Sequence, residues 1–217
     1  MQNRKKIFIV DDHPVFRKGL AQLIDEEDDL TVVGEAESVD QAIEMITKSI
    51  PDLAIVDITL KDKSGMDLIE YLREHKPGLP ILVISMHDES LYAERVLRAG
   101  ALGYITKQEM TSDVVSAVRQ VLWGKRYLSA KMVDALLGKM ITGHAGDGDD
   151  PVDVLSNREL EVFQLIGQGF KRGEIANMLS LSVKTIGTYH ESIKKKMHLK
   201  SATELMKYAV TWVQNKS

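Results

Sequence analysis

The chain has 217 residues, 44% hydrophobic and 28% charged, with no cysteine. That composition suits an ordinary globular protein of one or two domains, and it excludes a disulfide framework and thiolate chemistry. The net charge of −4 hides an asymmetry. From residue 151 onward ten Lys and Arg stand against six Asp and Glu, which puts +4 there and −8 on residues 1–150. Opposite signs suggest two tasks, with the basic part suited to a polyanion. No apolar run approaches the roughly 20 residues that span a bilayer. The opening Met1-Gln-Asn-Arg-Lys-Lys leads directly into a short strand-like run, so the chain reads as cytosolic, with no membrane partner.

Lys6-Ile-Phe-Ile-Val10 is the first predicted strand and ends in Asp11-Asp12. His13-Pro14 opens a helix with Phe16, Leu20, Leu23 and Ile24 on its apolar face, Pro14 being suited to a first helical turn. Thr31-Val-Val33 is a second strand. Ser38 caps a helix that turns Ala42, Ile43 and Ile46 inward. Leu53 to Val56 is an unbroken apolar run closed by Asp57, the pattern of a strand buried on both faces. A helix from about Gly65 carries Met66, Leu68, Ile69 and Leu72. Pro80 to Ser85 is a fourth strand, followed by a helix through Leu91, Val96 and Leu97 that stops at Gly100. Leu102 to Thr106 is a fifth strand, followed by Lys107. Thr111 to Trp123 is a helix with Val114, Val115, Val118 and Leu122 inward. Five alternations of strand and helix predict a doubly wound parallel sheet with right-handed crossovers.

The polar strand ends then matter. In a flavodoxin-like order the first and third strands flank the switch point, where a crevice opens at the carboxyl ends. Asp11, Asp12 and Asp57 would converge there, with Ser85 and Lys107 ending neighbouring strands. Three unpaired carboxylates repel one another and raise each other's pKa values. A hard divalent cation with oxygen ligands relieves that repulsion, and the absence of a Cys or His cluster argues against zinc.

Val10-Asp11-Asp12-His13, Ile55-Val56-Asp57, Val83-Ile84-Ser85 and Gly103-Tyr104-Ile105-Thr106-Lys107, in that order, make residues 5–123 resemble the receiver domain of bacterial two-component response regulators. The resemblance implies an α/β (βα)5 fold with sheet order 2-1-3-4-5. It implies that Asp57 accepts a phosphoryl group from the phosphohistidine of a sensor histidine kinase. Mg2+ would be held by Asp12, Asp57 and the backbone carbonyl of Thr59, with Asp11 reaching it through water. Ser85 would turn to the new phosphate, Tyr104 would move inward and Lys107 would neutralise charge. The responding surface would run from about Glu89 to Trp123.

Residues 124–151 read as a linker. Ser129 to Met140 could form a helix with Met132, Val133, Leu136 and Leu137 on one face, and a Gly- and Asp-rich stretch to Pro151 follows. Trp123 and Trp212 are expected to pack near helix ends. In residues 152–217, Ser156 and Glu159 form a capping box before Val162, Phe163, Leu165 and Ile166, and Gly167 and Gly169 mark a stop. Glu174 to Leu179 is a short helix. Ser182 caps a longer one, Val183 to Met197, and a last helix carries Ala202, Leu205, Met206, Ala209, Val210 and Val213. Four short helices with a short helix, turn and long helix in the middle give helix-turn-helix order.

Leu155-Ser-x-Arg-Glu-x-Glu-Val, Glu174-Ile-Ala and Leu179-x-Leu-Ser-Val-Lys-Thr-Ile186 make this part similar to the LuxR-type DNA-binding domain. With the receiver, the whole chain resembles response regulators of the NarL/FixJ family. On the longer, reading helix, Val183, Ile186, His190, Ile193 and Met197 repeat as a core face, which makes His190 a half-buried structural histidine. The opposite face would meet double-stranded promoter DNA: Lys184, Lys194 and Lys195 on phosphates, Thr188 on a thymine methyl and Glu191 on a cytosine amino group, with Thr185 and Tyr189 beside them. Lys196 reads as a solvated helix end. The family often has Lys where Gly187 stands, His where Tyr189 stands and, in some members, a basic residue where Glu191 stands, so its base contacts do not carry over.

The expected function is phosphorylation-controlled transcription regulation, with homodimers forming on phosphorylation. The only chemistry expected is self-phosphorylation on Asp57 and slow hydrolysis, so the chain is not read as an enzyme. One alternative is a dimeric DNA binder independent of phosphorylation, against which the intact Asp11, Asp12, Asp57, Ser85 and Lys107 set argues. Another is an aspartate-nucleophile phosphatase, which needs a second acid two residues after Asp57, where Thr59 stands.

Overall fold

The apolar runs of the N-terminal half become five strands: β1 (Lys5–Val10), β2 (Leu30–Ala36), β3 (Leu53–Val56), β4 (Ile81–Ser85) and β5 (Gly103–Thr106). All four pairings are parallel and the order is β2-β1-β3-β4-β5, the arrangement the sequence predicts. These observations come from a computed structural model that describes residues 4–60, 63–86, 89–108, 110–141 and 151–216. The chain divides into two units, Met1–Gly143 and His144–Ser217. Lys61-Asp62 in the loop after Asp57, and the Gly- and Asp-rich part of the expected linker at 142–150, lie outside the described residues.

Between the strands run α1 (Pro14–Asp25), α2 (Val39–Ser49), α3 (Gly65–His75) and α4 (Glu89–Ala99), and α5 (Met110–Leu122) follows β5. Strand side chains alternate between faces. Ile7, Ile9, Leu53, Ile55, Leu82, Ile84 and Ile105 pack with Leu20 and Ile24 of α1 and Val114, Ala117, Val118 and Val121 of α5. Their neighbours Phe8, Val10, Ala54, Val56 and Val83 are also fully buried, which explains why β1 and β3 read as unbroken apolar runs. Ser38 accepts from the Gln41 N–H and starts α2; Ser64 and Asp67 form a capping box that starts α3.

The register brings the polar strand ends to one edge. Val10 lies opposite Val56, and Val56 opposite Val83. The backbone ladder continues past the strands: Asp11 N–H donates to Ala36 O, Asp57 N–H to Val10 O, and Lys107 N–H to Ser85 O.

The sequence divides the chain after Trp123, but residues 125–141 hold to the first unit. Tyr127 N–H donates to Leu102 O and Tyr127 O accepts from Tyr104 N–H, a parallel bridge on β5. Ser129 gives Glu89 two hydrogen bonds, from its N–H at 2.9 Å and from its hydroxyl. Helix α6 (Ala130–Ile141) then buries Met132 and leaves Val133 and Leu137 exposed. Trp123 does not pack as expected: it is 83% exposed, because α5 ends beside it and Gly124, at φ +72, turns the chain away.

The second unit follows a short 3-10 turn (Pro151–Val154) and comprises α7 (Asn157–Gly167), α8 (Arg172–Met178), α9 (Val183–Lys196) and α10 (Ala202–Lys216). Leu160, Val162, Phe163, Ile166, Ile175, Ile186, Ile193, Leu205 and Ala209 are its core. Trp212 is buried, its ring edge-on to Phe163 at 5.6 Å. A Cβ on Gly167 would stand 2.5 Å from the Ala209 carbonyl oxygen, so Gly167 lets α10 cross α7 closely as well as ending that helix. Val183 and Met206, expected in the core, are about half exposed, at 55% and 50%. Val183 is the first residue of α9, and Met206 lies beside the buried Leu205 and Ala209 on the edge of the apolar face of α10.

Candidate functional site

Asp57 sits at the carboxyl end of β3, where α3 presses against it. A Cβ on Gly65 would fall 1.9 Å from the Asp57 carbonyl oxygen, so only glycine lets this turn close. Thr59 N–H donates to Asp57 Oδ1 at 3.2 Å and Gly65 N–H to Ile58 O at 2.7 Å. Asp11, Asp12 and Asp57 are all buried, and a ligand atom from each, with His13 Nδ1, lies within 4.8 Å of the others. The expected convergence of three carboxylates is therefore present.

Lys107 neutralises part of that charge. Its Nζ lies 2.6 Å from Asp57 Oδ2 and 2.6 Å from Asp11 Oδ2, with the lysine side chain 4% exposed. The Phe16 ring stands 4.3 Å from the same ammonium, a cation–π contact. Burial still dominates at Asp57: desolvation pushes its pKa up to about 6, with Lys107 pulling down and Asp11 pushing up. Among the described residues Asp12 Oδ1 is buried without a hydrogen bond. A buried carboxylate oxygen with no donor is costly, and a cluster of hard oxygens with one orphan fits a divalent cation. Ser85 is fully buried at the end of β4, opposite Thr106, and Tyr104 is buried on β5 opposite Val83. The sequence places His13 in the Val10-Asp11-Asp12-His13 motif but gives it no role at the site. Its adjacency to the two acids was the available signal.

The helix expected to read DNA is α9. Ser182 accepts from Thr185 N–H and caps the helix, and its Oγ is 2.7 Å from Thr185 Oγ1. Thr188 donates its hydroxyl to Lys184 O at 3.2 Å, so its methyl is the group left for an apolar contact. Lys184, Thr188, Glu191 and Lys195 are exposed, whereas Tyr189 and Lys194 are half-buried. Glu191 and Lys194 pair at 2.8 Å, and that bond lowers the Glu191 pKa. The two side chains expected to meet a base and a phosphate therefore engage each other.

Lys196 is not simply solvated. It bonds Glu159 at 2.7 Å, and Ser192 donates to the other oxygen of that carboxylate at 2.6 Å. Burial opposes ionisation of Glu159, but Lys196, Ser192 and Ser156 outweigh it and bring the pKa to about 2. His190 lies on the core face as expected, but it is buried rather than half-buried, and among the described residues its Nε2 has no hydrogen-bond partner. Burial and then the Arg172 guanidinium, 3.5 Å from Nδ1, lower its pKa to about 4.

Residues 7–119 match the family described as the response regulator receiver domain, and residues 153–209 match the luxR family of bacterial regulatory proteins. The oxygen regulatory protein NreC of Staphylococcus carnosus is 36% identical over 209 residues, covering 94% of this chain and 96% of that protein. NreC of Staphylococcus aureus strain RF122 is 34% identical over the same length. Among solved structures, RcsB of Salmonella enterica serovar Typhimurium, bound to the rprA promoter with the phosphomimetic BeF3−, aligns with a TM-score of 0.61 at 29% identity, over 96% of this chain and 99% of that one. A LuxR-family response regulator from Aurantimonas gives a TM-score of 0.60 at 29% identity over 64% of this chain and 99% of its own. A receiver sheet carried with a LuxR-type helix-turn-helix defines the DNA-binding two-component response regulators. The chain belongs to the NarL/LuxR branch of that family.

Proposed function

We propose that Asp57 is the phosphoacceptor for a sensor histidine kinase, and that its phosphorylation drives homodimerisation and promoter binding. The observation that supports this most is the buried Lys107 ammonium shared by Asp57 and Asp11 at the switch point of the sheet. One Asp57 oxygen forms the bond to phosphorus as the phosphorus–nitrogen bond breaks and its electron pair returns to the kinase imidazole. Asp12, Asp57 and the Thr59 carbonyl would hold Mg2+, and Asp11 would reach it through water. When bound, Mg2+ supplies positive charge against the equatorial oxygens. Lys107 is held close enough to do the same from the other side. Ser85 donates its hydroxyl to the new phosphate, and the buried Tyr104 is the inward partner of that position.

The phosphate adds about −1.5 to −2 charges and three acceptor oxygens next to α4 and β5. In the second unit Lys184, Lys194 and Lys195 hold phosphates, Thr188 meets a thymine methyl, Glu191 a cytosine amino group, and Thr185 and Tyr189 contact the same stretch. Dimers read paired half-sites.

The test treats wild type and Asp57→Asn with acetyl phosphate and Mg2+. Wild type is expected to gain an acid-labile phosphoryl group, to elute from gel filtration at twice the mass and to bind promoter DNA more tightly. Asp57→Asn should do none of these. An equal label on both proteins overturns the assignment of Asp57, and a label without change in mass or DNA affinity overturns its control of the second unit.

A further inference from the structure

We propose that His13 is a third directly bound side chain of the divalent-cation site, beside Asp12 and Asp57, through Nδ1, and that it gives the site a preference for a borderline cation such as Mn2+ over Mg2+. The proposal rests on reading the acid cluster as a cation site.

The geometry begins with Pro14. A residue before proline is pushed out of the helical region, and His13 is extended, at φ −92 and ψ 101, as the N-cap of α1. An N-cap side chain usually bonds the first helical N–H groups, but the imidazole makes no such bond. Its own N–H is instead tied to Asp11 Oδ1 at 2.8 Å, so backbone and ring both lean towards the acids. Nδ1 lies 2.8 Å from Asp12 Oδ1 and 3.3 Å from Asp11 Oδ1. Adjacent ligands of a six-coordinate ion with bonds of about 2.1–2.2 Å are separated by about 3 Å, so the Asp12 spacing matches neighbouring corners of one coordination shell.

The second observation is Asp12 itself. Its side chain is 9% exposed, and Oδ1 accepts no hydrogen bond among the described residues although Nδ1 is its close neighbour. Nδ1 and Oδ1 thus stand within ion-pair distance without the alignment of a hydrogen bond. The His13 side chain is 60% exposed, so it can adjust by a rotamer change without disturbing the core.

Selectivity follows from ligand chemistry. Mg2+ favours an all-oxygen shell and sheds water reluctantly. Imidazole nitrogen suits later divalent ions, and affinity for mixed nitrogen and oxygen sites rises along the first transition row. One nitrogen among carboxylates therefore favours Mn2+ without excluding Mg2+. Sequence reasoning, finding no histidine cluster, did not anticipate a nitrogen donor here.

The experiment uses the full chain with Mn2+ and Mg2+ as probes. Pulsed EPR of the Mn2+-loaded protein should show a directly bound 14N coupling that disappears in His13→Asn. Even an outer-shell partner of a metal ligand is worth about 10–100-fold in affinity, so His13→Asn should weaken Mn2+ by about tenfold or more and Mg2+ by less than about threefold. Absence of 14N coupling in wild type, or an unchanged ratio of Mn2+ to Mg2+ affinity in His13→Asn, overturns the proposal and leaves the cation site standing. Failure of wild type to bind either cation overturns both.

Discussion

Lys107 shows how a buried charge can be both necessary and costly. Its ammonium touches two buried carboxylates at 2.6 Å each. Removing one member of a buried ion pair strands the other, at about 3–5 kcal/mol. Lys107→Ala is therefore expected to lower the stability of the first unit by about that much in chelator, read as a shift of the urea midpoint. Mg2+ should restore more stability to the variant than it adds to wild type, because the variant's acids have lost their internal cation. Equal gains in both proteins would show that the lysine and the divalent ion do not answer the same charge. Glu191 poses the opposite question on the second unit. If its pairing with Lys194 merely screens a phosphate-binding cation, Glu191→Gln should tighten binding to random duplex DNA and steepen its salt dependence by about one phosphate. If Glu191 reads a cytosine, the same variant should lose its discrimination at one base pair. Competition binding with a specific and a random duplex separates the two.

Between elements, Glu159 does more than its capping box announces. It accepts from the N–H of Ser156 at 2.6 Å, closing the start of α7, and it also takes Ser192 and Lys196 from the far end of α9. One carboxylate thus joins two helices. Glu159→Ala is expected to cost about 2–3 kcal/mol in the second unit, more than the ~1 kcal/mol of a simple cap; a loss below 1 kcal/mol in denaturant melts would reduce it to a cap. This difference marks what the sequence could reveal. The box was legible because Ser156 and Glu159 are three residues apart. The link to α9 was not, because it spans more than thirty residues and depends on how two helices cross. The five strands, their order and the meeting of Asp11, Asp12 and Asp57 were legible for a related reason: unbroken apolar runs and strand-end polarity are local signals, and topology rules do the rest. The attachment of residues 125–141 to β5 and α4 had no local signal. It rests on backbone bonds of Tyr127 and on Glu89 reaching Ser129. Trp123 misled for the same reason, since an apolar side chain at a helix end says nothing about whether a partner is opposite.

At the scale of the whole chain, the two units differ in net charge, in core and in what titrates inside them, so they should answer to different solution variables. His190 supplies a pH handle for the second. Its pKa is about 4 when folded and about 6.5 when unfolded. Above pH 6.5 the ring is neutral in both states and contributes no pH dependence. As pH falls from 6.5 to 4 the unfolded chain takes up a proton that the folded unit does not, so stability drops, by up to about 3 kcal/mol. Glu159 acts in a lower window. With a folded pKa of about 2, it stabilises fully above the ordinary carboxylate range near 4.5, and that stabilisation is lost as pH falls from there to 2. Calorimetry of the full chain should resolve two transitions. Mg2+ should raise only the one belonging to the first unit. Acidification from pH 6.5 to 4.5 should lower the one that coincides with Trp212 fluorescence in a Trp123→Phe background, a substitution tolerated because Trp123 is exposed. His190→Gln should flatten that response and leave the fall below pH 4.5 in place. A single transition shifted by both Mg2+ and acid would mean that the units unfold as one, and that stability on one side is coupled to the charge state of the other.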